Sequence, residues 1–386
     1  VQCRITCTVM RGGTSRGLFF HQKDLPEDIR LRDRILLAAF GSPDPKQIDG
    51  LGGAVSVTSK AAIIGPPTAP DADVDYTFGQ VSITRPLVDY KGNCGNISAA
   101  VGPFAIDEGL VEPVEPVTTV RIHNTNTNKI IVAHVPVKNG KADIEGDCEI
   151  AGVPGKWAPI LIEFESPGGA VTGKLLPTGS LQDEIDLGED GLYHVSIVDA
   201  ANPLVFALAE EMGLTGRETP GEIDNDPRVS RILESIRSEA CYRLGLVDSP
   251  LKATELSPAI PKVAFVAPSG SYRTAEGKLV EKDQMDFLAR SMSMQKAHKS
   301  FAITGAVCTA VAASLPGTVV HRVARLHHQG KVTFGHPEGL ITLEIEIRES
   351  GPSQFQIIKA AVERSARRIM DGSVYIPKKI FQEEKR

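Results

Sequence analysis

The sequence predicts an α+β protein of two weakly similar, pseudo-symmetric lobes, each with strands wrapped around a central helix of small residues. Three observations predict it. A strand, small-residue loop and second strand over residues 4–20 return over residues 195–206. The segment Ser59-Lys60-Ala61-Ala62-Ile63-Ile64-Gly65-Pro66 lies on Pro261-Lys262-Val263-Ala264-Phe265-Val266-Ala267-Pro268 without a gap. Two apolar segments rich in alanine, each with a glycine turn at its start, occupy residues 97–105 and 304–313. The same order of features in both halves marks a duplicated unit. A stretch rich in Pro and Gly over 149–179 gives way to an acidic segment over 182–190. That composition shift places the boundary between an N-terminal lobe, 1–185, and a C-terminal lobe, 186–386, with an active-site cleft expected between them.

Within the first lobe, residues 4–9 and 18–21 read as strands around Met10-Arg11-Gly12-Gly13-Thr14-Ser15-Arg16-Gly17. That loop holds more glycine and hydroxyl groups than a plain hairpin needs. Its arginines and hydroxyls can wrap a carboxylate, or it is a bulged turn with exposed arginines. Residues 31–40 form an amphipathic helix closed by Gly41. Asp49-Gly50-Leu51-Gly52-Gly53 then leads into the strand that carries Lys60. A lysine in an apolar strand either reaches for the surface or is partly desolvated, and desolvation favours the neutral amine that a general base requires. Residues 118–122 and 130–137 pair around Asn124-Thr125-Asn126-Thr127-Asn128, whose side chains serve as turn formers or ligand donors.

The stretch Lys91-Gly92-Asn93-Cys94-Gly95-Asn96 opens the first central helix. Asn93 and Asn96 are good helix caps, and a helix start presents unpaired N–H groups and the positive end of the dipole. Both suit a carboxylate or an oxyanion, and the same field favours a thiolate at Cys94. The alternative is that Cys94 is a small buried residue beside a glycine turn. In the second lobe Thr304-Gly305-Ala306 opens the matching helix. Two such starts aimed into one cleft would suit a substrate with two or more carboxylates; an old duplication with one functional lobe is the other outcome.

Composition narrows the classes. The chain has 386 residues, 41% of them hydrophobic and 23% charged, with no apolar run long enough for a membrane helix, so a soluble globular protein is expected. A formal charge of −6 and the lack of a basic run with aromatics exclude an electrostatic case for nucleic acid. Six cysteines without a Cys-x-x-Cys pair suggest neither a zinc site nor a disulfide framework, which fits a reducing compartment. The opening residues read as a strand rather than a signal peptide, so the cytoplasm is expected. No metal site is expected, because no His/Cys/carboxylate cluster has ligand spacing.

The motifs Met10–Ser15, Asp49–Gly53, Ser59-Lys60, Asn93–Asn96, Asn124–Thr127, Gly152–Gly155, Leu175–Gly179 and Thr304–Cys308 resemble, in order, those of the PrpF family. The resemblance spans nearly the whole chain. It implies a diaminopimelate epimerase-like fold and a cofactor-independent isomerase that moves a proton on an unsaturated di- or tricarboxylate. The 2-methylaconitate, 3-methylitaconate and aconitate isomerases and the 4-oxalomesaconate tautomerases belong to that family. It puts Lys60 at the catalytic lysine and Cys94 at one acid/base thiol. Substrate contacts are then expected at Arg11, Gly13, Thr14, Ser15, Ser59, Asn93, Gly95, Asn96, Asn126, Thr304, Gly305 and Ala306, with Arg273 as a cation of the second lobe. Thr304-Gly305 stands where true epimerases carry a second cysteine, which argues against a two-thiol racemase. A small polycarboxylate and a second copy of the chain are the partners expected. The rival reading is a non-catalytic tricarboxylate-binding accessory protein for an aconitase-like dehydratase.

Overall fold

A computed structural model describes residues 1–351 and 354–382. The chain divides into two units, Val1–Ile162 with Arg364–Arg386, and Glu163–Glu363. This differs from the expected division at 185/186. The C-terminal strand, Ala366–Pro377, runs antiparallel to the first strand from Gln2↔Pro377 to Gly12↔Ala366, so the end of the chain belongs to the unit that holds its beginning.

In the first unit, β1 (Gln2–Gly12) and β2 (Ser15–His21) form an antiparallel pair, and α1 (Ile29–Phe40) leads to β3 (Lys60–Gly65). β3 is parallel to β2 and antiparallel to β4 (Val74–Val81). The short β5 (Val88–Asp89) pairs with the end of β4, and α2 (Gly95–Asp107) follows. β6 (Val117–Asn124) is parallel to β4 and antiparallel to β7 (Lys129–Lys138). These strands wrap α2, which packs against β1, β2, β3, β4, β6, β7 and the C-terminal strand. Every residue of α2 from Gly95 to Ile106 is buried. A helix apolar on all sides can exist only in such a sleeve, and small residues let the strands close on it. A Cβ on Gly102, for instance, would fall 2.8 Å from Val135 Cγ2. On the outer face, α1 buries Ile35, Leu36 and Phe40 against Ile5, Leu18, Phe20 and Ile63. Asp28 caps its start through Arg30 N, and Gly41 ends it at φ 72°.

The second unit repeats this order. β8 (Leu192–Ala200) and β9 (Asn202–Leu208) are antiparallel, and β10 (Lys262–Pro268) is parallel to β9. β11 (Phe287–Ser293) is antiparallel to β10, β12 (Lys331–His336) is parallel to β11, and β13 (Gly339–Gly351) is antiparallel to β12. α3 (Pro227–Arg243) stands where α1 does, between the second and third strands, and the fully buried α4 (Ile303–Ala313) stands where α2 does. The alternation antiparallel, parallel, antiparallel, parallel, antiparallel is identical in both units. Lys60 and Lys262 each open the third strand.

Candidate active site

The first turn of α2 organises the site. Cys94 is its N-cap, in extended geometry (φ −124°, ψ 97°), and is 8% exposed. Asn93 and Asn96, expected as caps, act beside it instead. Asn93 Oδ1 accepts from Cys94 N at 2.6 Å, while Asn96 reaches sideways to the β1–β2 turn. The amides of Gly95, Asn96 and Ile97 lie in the first turn, where the helix itself provides no acceptor.

The β1–β2 connection is a tight hairpin, Gly12↔Ser15 closing around Gly13-Thr14, rather than the elaborate loop that its composition suggests. Its glycines serve close approach. A Cβ at Gly12 would lie 2.2 Å from Asn96 O, and one at Gly13 (φ 48°) would lie 2.1 Å from Asn96 Oδ1. Asn96 Oδ1 accepts from Thr14 N at 3.3 Å, and Asn96 Nδ2 donates to Thr14 Oγ1 at 3.1 Å. Gly13, Thr14, the buried Ser15, Asn93, Gly95 and Asn96 are therefore brought together at one helix start.

Arg11 pins the same turn. Its Nη1 donates to Gly13 O, Ser365 O and Ser365 Oγ, each at 3.1 Å. Arg16, Arg11 and Arg367 are direct cross-strand partners, so three guanidinium groups share one sheet face. Trp157 lies under Arg11 at 5.0 Å and under Arg367 at 5.5 Å. Burial lowers the Arg11 guanidinium to about 10, with Arg367 adding and Cys148 opposing. Among the described residues, Arg11 Nη2 is buried without a hydrogen-bond partner.

Lys60 lies in a row of direct partners across four strands: Gly17, Lys60, Gln80 and Asp89. A Cβ on Gly17 would meet Lys60 O at 2.6 Å and Ile97 Cδ1 at 3.1 Å, so this row lies on the face toward α2. Lys60 is 8% exposed, its Nζ donates to Gln80 Oε1 at 2.6 Å, and it sits 5.2 Å from the centre of the Phe78 ring. Among the described residues no carboxylate pairs with it. Behind it, Ser59 has no exposed surface and its hydroxyl donates to Gln47 Oε1 at 2.8 Å, so it supports the strand entry rather than presenting a ligand contact.

The other expected residues are placed differently. Asn126 spends its amide on the protein: Oδ1 accepts from Phe78 N and Asn124 Nδ2, and Nδ2 donates to Phe78 O and Tyr90 O. In the second unit, Arg273 is exposed and bonds Gly277 O at 2.9 Å. Thr304, Gly305 and Ala306 are buried in the first turn of α4, whose N-cap is Ala302. Cys308 lies deeper, with its Sγ 3.2 Å from Val198 O, and burial pushes its thiol far up. Neither the N-cap nor the Thr304 position offers a thiol. No group of three or more His, Cys, Asp or Glu among the described residues could hold a metal ion. All six cysteines are free, and no helix of the described residues is long and apolar enough to cross a membrane.

Gln80, Phe78 and Tyr76 were not visible as site residues in the sequence. They alternate along the α2 face of β4, a spacing of two that marks a shared face but says nothing of the partner strand. The Tyr76 side chain is fully buried beside Ser98 and Cys94; burial and then Cys94 raise its hydroxyl well above the usual phenol range.

The duplicated strand order around two buried helices defines the diaminopimelate epimerase-like fold. A hydroxyproline epimerase from Agrobacterium vitis shares that fold, with a TM-score of 0.57 at 12% identity, covering 96% of this chain and 92% of the other. The chain belongs to the PrpF family, whose description, PrpF protein, matches residues 2–377. It is 50% identical to 3-methylitaconate isomerase of Eubacterium barkeri, with 98% of each chain covered. Identity to 2-methyl-aconitate isomerase of Shewanella oneidensis is 41%, again with 98% of each covered. The crystal structure of a methylitaconate-delta-isomerase superposes with a TM-score of 0.82 at 48% identity, covering 100% of this chain and 98% of that one.

Proposed function

We propose that this isomerase moves a proton between the two allylic carbons of an unsaturated di- or tricarboxylate, without a cofactor and with Lys60 as the base. The substrates considered are of the 3-methylitaconate, 2-methylaconitate, aconitate or 4-oxalomesaconate type. The observation that carries the reading is the Lys60 amine, buried on a neutral amide and an aromatic face, with no carboxylate among the described residues to hold its proton.

The chemistry follows from the substrate. A C–H bond next to a double bond conjugated with a carboxylate is weakly acidic, and its electron pair passes into a dienolate as the proton leaves. Neutral Lys60 takes that proton, forming an N–H bond, and returns it to the other allylic carbon as the double bond shifts. The amides at the start of α2 face the developing negative charge. Cys94, at the same helix start, assists as a second acid or packs against the substrate.

Incubation with 3-methylitaconate, 2-methylaconitate, trans-aconitate and 4-oxalomesaconate in deuterated water, followed by proton NMR, tests the reading. The expected result is loss of the vinylic or allylic signals of at least one acid with growth of its isomer, unchanged after exhaustive chelation. Binding of an acid without any exchange would mean a non-catalytic carrier and would overturn the proposal.

A further inference from the structure

We propose that Gln80, which nothing in the sequence marked, positions Lys60 and keeps its amine able to give up a proton. The inference rests on the reading of Lys60 as the base. Gln80 is 7% exposed, and its amide has one allowed orientation. Its Nε2 donates to Ser59 O at 3.0 Å and to Ser56 O at 3.2 Å. Both are carbonyls, which only accept, so a flipped amide would set oxygen against oxygen. Its Oε1 is thereby turned to Lys60 Nζ, 2.6 Å away.

Two consequences follow for the base. A long, flexible side chain is held at one point by an acceptor that is itself locked to the backbone. The acceptor is also uncharged, so proton loss from Lys60 leaves no unpaired carboxylate in the interior, whereas a buried carboxylate partner would hold the ammonium in place. The neutral amine can still donate one N–H to Oε1 and direct its lone pair to the substrate. Asp89, the next residue in the row, stands one strand beyond Gln80, with its Oδ1 taken by Lys91 N at 2.8 Å.

The other titratable or charged groups around the row are few. Cys94 stands at the start of α2, and Tyr76 lies four residues along β4 on the same face. Arg16 on β2 alternates with Gly17 and so lies on the opposite face, where α1 carries Arg32, Asp33 and Arg34. Gln80 is thus the sole direct register partner of Lys60 on β4, and it insulates the amine from the nearest carboxylate in the row.

The test replaces the amide by its charged isostere. In Gln80→Glu the acid limb of the kcat/KM profile, measured with the best acid of the four, is expected to move up by about one to three pH units. The same displacement should appear without substrate, in the pH dependence of competitive acetic-anhydride labelling of Lys60 read by mass spectrometry. In Gln80→Met, which has no acceptor, kcat is expected to fall by up to about 100-fold with KM little changed. An unmoved acid limb and labelling midpoint in a folded Gln80→Glu protein would overturn the inference. Should that variant fail to fold, an unchanged kcat in Gln80→Met would do so. Lys60→Ala separates the two levels. If it still turns over, the base assignment fails and this inference falls with it. If it is inactive while both Gln80 variants behave like the parent, only the role of Gln80 is lost.

Discussion

The two units share one strand order and differ in what stands at equivalent places. In the first, the lysine that opens the third strand is buried and bonded to Gln80, and the central helix begins at Cys94 with a hairpin docked on it by Asn96. In the second, Lys262 is half-buried and bonds Ala259 O at 3.1 Å. The β10–β11 ladder runs from Ala264↔Ser291 to Pro268↔Phe287, two residues after Lys262. The helix α4 begins at an alanine, and its cysteine lies inside the helix with its thiol on a backbone carbonyl. Duplication copied the scaffold, and in the proposed mechanism the chemistry depends on a handful of side chains of the first copy.

Glycine substitutions should sharpen that contrast most. Gly12→Ala pushes a methyl group into Asn96 O, and a loss of about 2–3 kcal/mol in urea unfolding is expected, the cost of overpacking a rigid site. Gly305→Ala meets its nearest neighbour, Phe301, only at 3.5 Å, so its stability should stay within about 1 kcal/mol of the parent, on the favourable side from helix propensity. Equal losses at both positions would break the comparison.

Asn96→Ala comes next. It removes both bonds to Thr14 and should cost about 1–3 kcal/mol and raise KM. A double-mutant cycle with Thr14→Val should show strong non-additivity, since both changes delete a shared bond. The cysteines should then separate by readout. Cys94→Ser is expected to lower kcat while leaving measurable turnover and nearly unchanged melting. Cys308→Ser is expected to lower the melting temperature with the pH profile of catalysis unmoved.

The smallest effect is electrostatic. Burial opposes the charge on His123, but its bonds to Asp75 at 2.8 Å and Asn128 at 2.9 Å outweigh that and raise its protonation range. A raised folded-state range gives stability that is complete below the unfolded value of about 6.5 and is lost as pH rises through the folded one. The melting temperature of the parent should therefore fall slightly across that window, and His123→Gln should flatten the change.

Much of this was legible in the sequence because it is local. The gapless overlay of the two lysine strands, the alanine-rich helices and the cap at Gly41 all depend on neighbours a few residues apart. What escaped was long-range. The pairing of Gln2 with Pro377 joins the first and last strands, and no local pattern announces it, so the expected boundary at 185/186 differs from the one at Ile162 and the return at Arg364 was not foreseen. The facing of Lys60 and Gln80 depends on register between strands, which periodicity cannot supply. Gly13-Thr14 looked too rich for a hairpin because the glycines answer to Asn96, which lies 82 residues from Thr14. The helix α3 had readable signals, an Asp226 cap and Pro227 at its first position, that the repeat pattern overshadowed.

The most direct test of the central claim, that one of two equivalent lysines does the chemistry, is a paired exchange measurement. Lys60→Ala and Lys262→Ala, both confirmed as folded by circular dichroism, would be incubated with the preferred acid in deuterated water and followed by proton NMR. The account predicts that Lys262→Ala exchanges within about threefold of the parent while Lys60→Ala falls by at least about 100-fold, as removal of a general base requires. Near-parental exchange by Lys60→Ala, or equal losses in both variants, would contradict it.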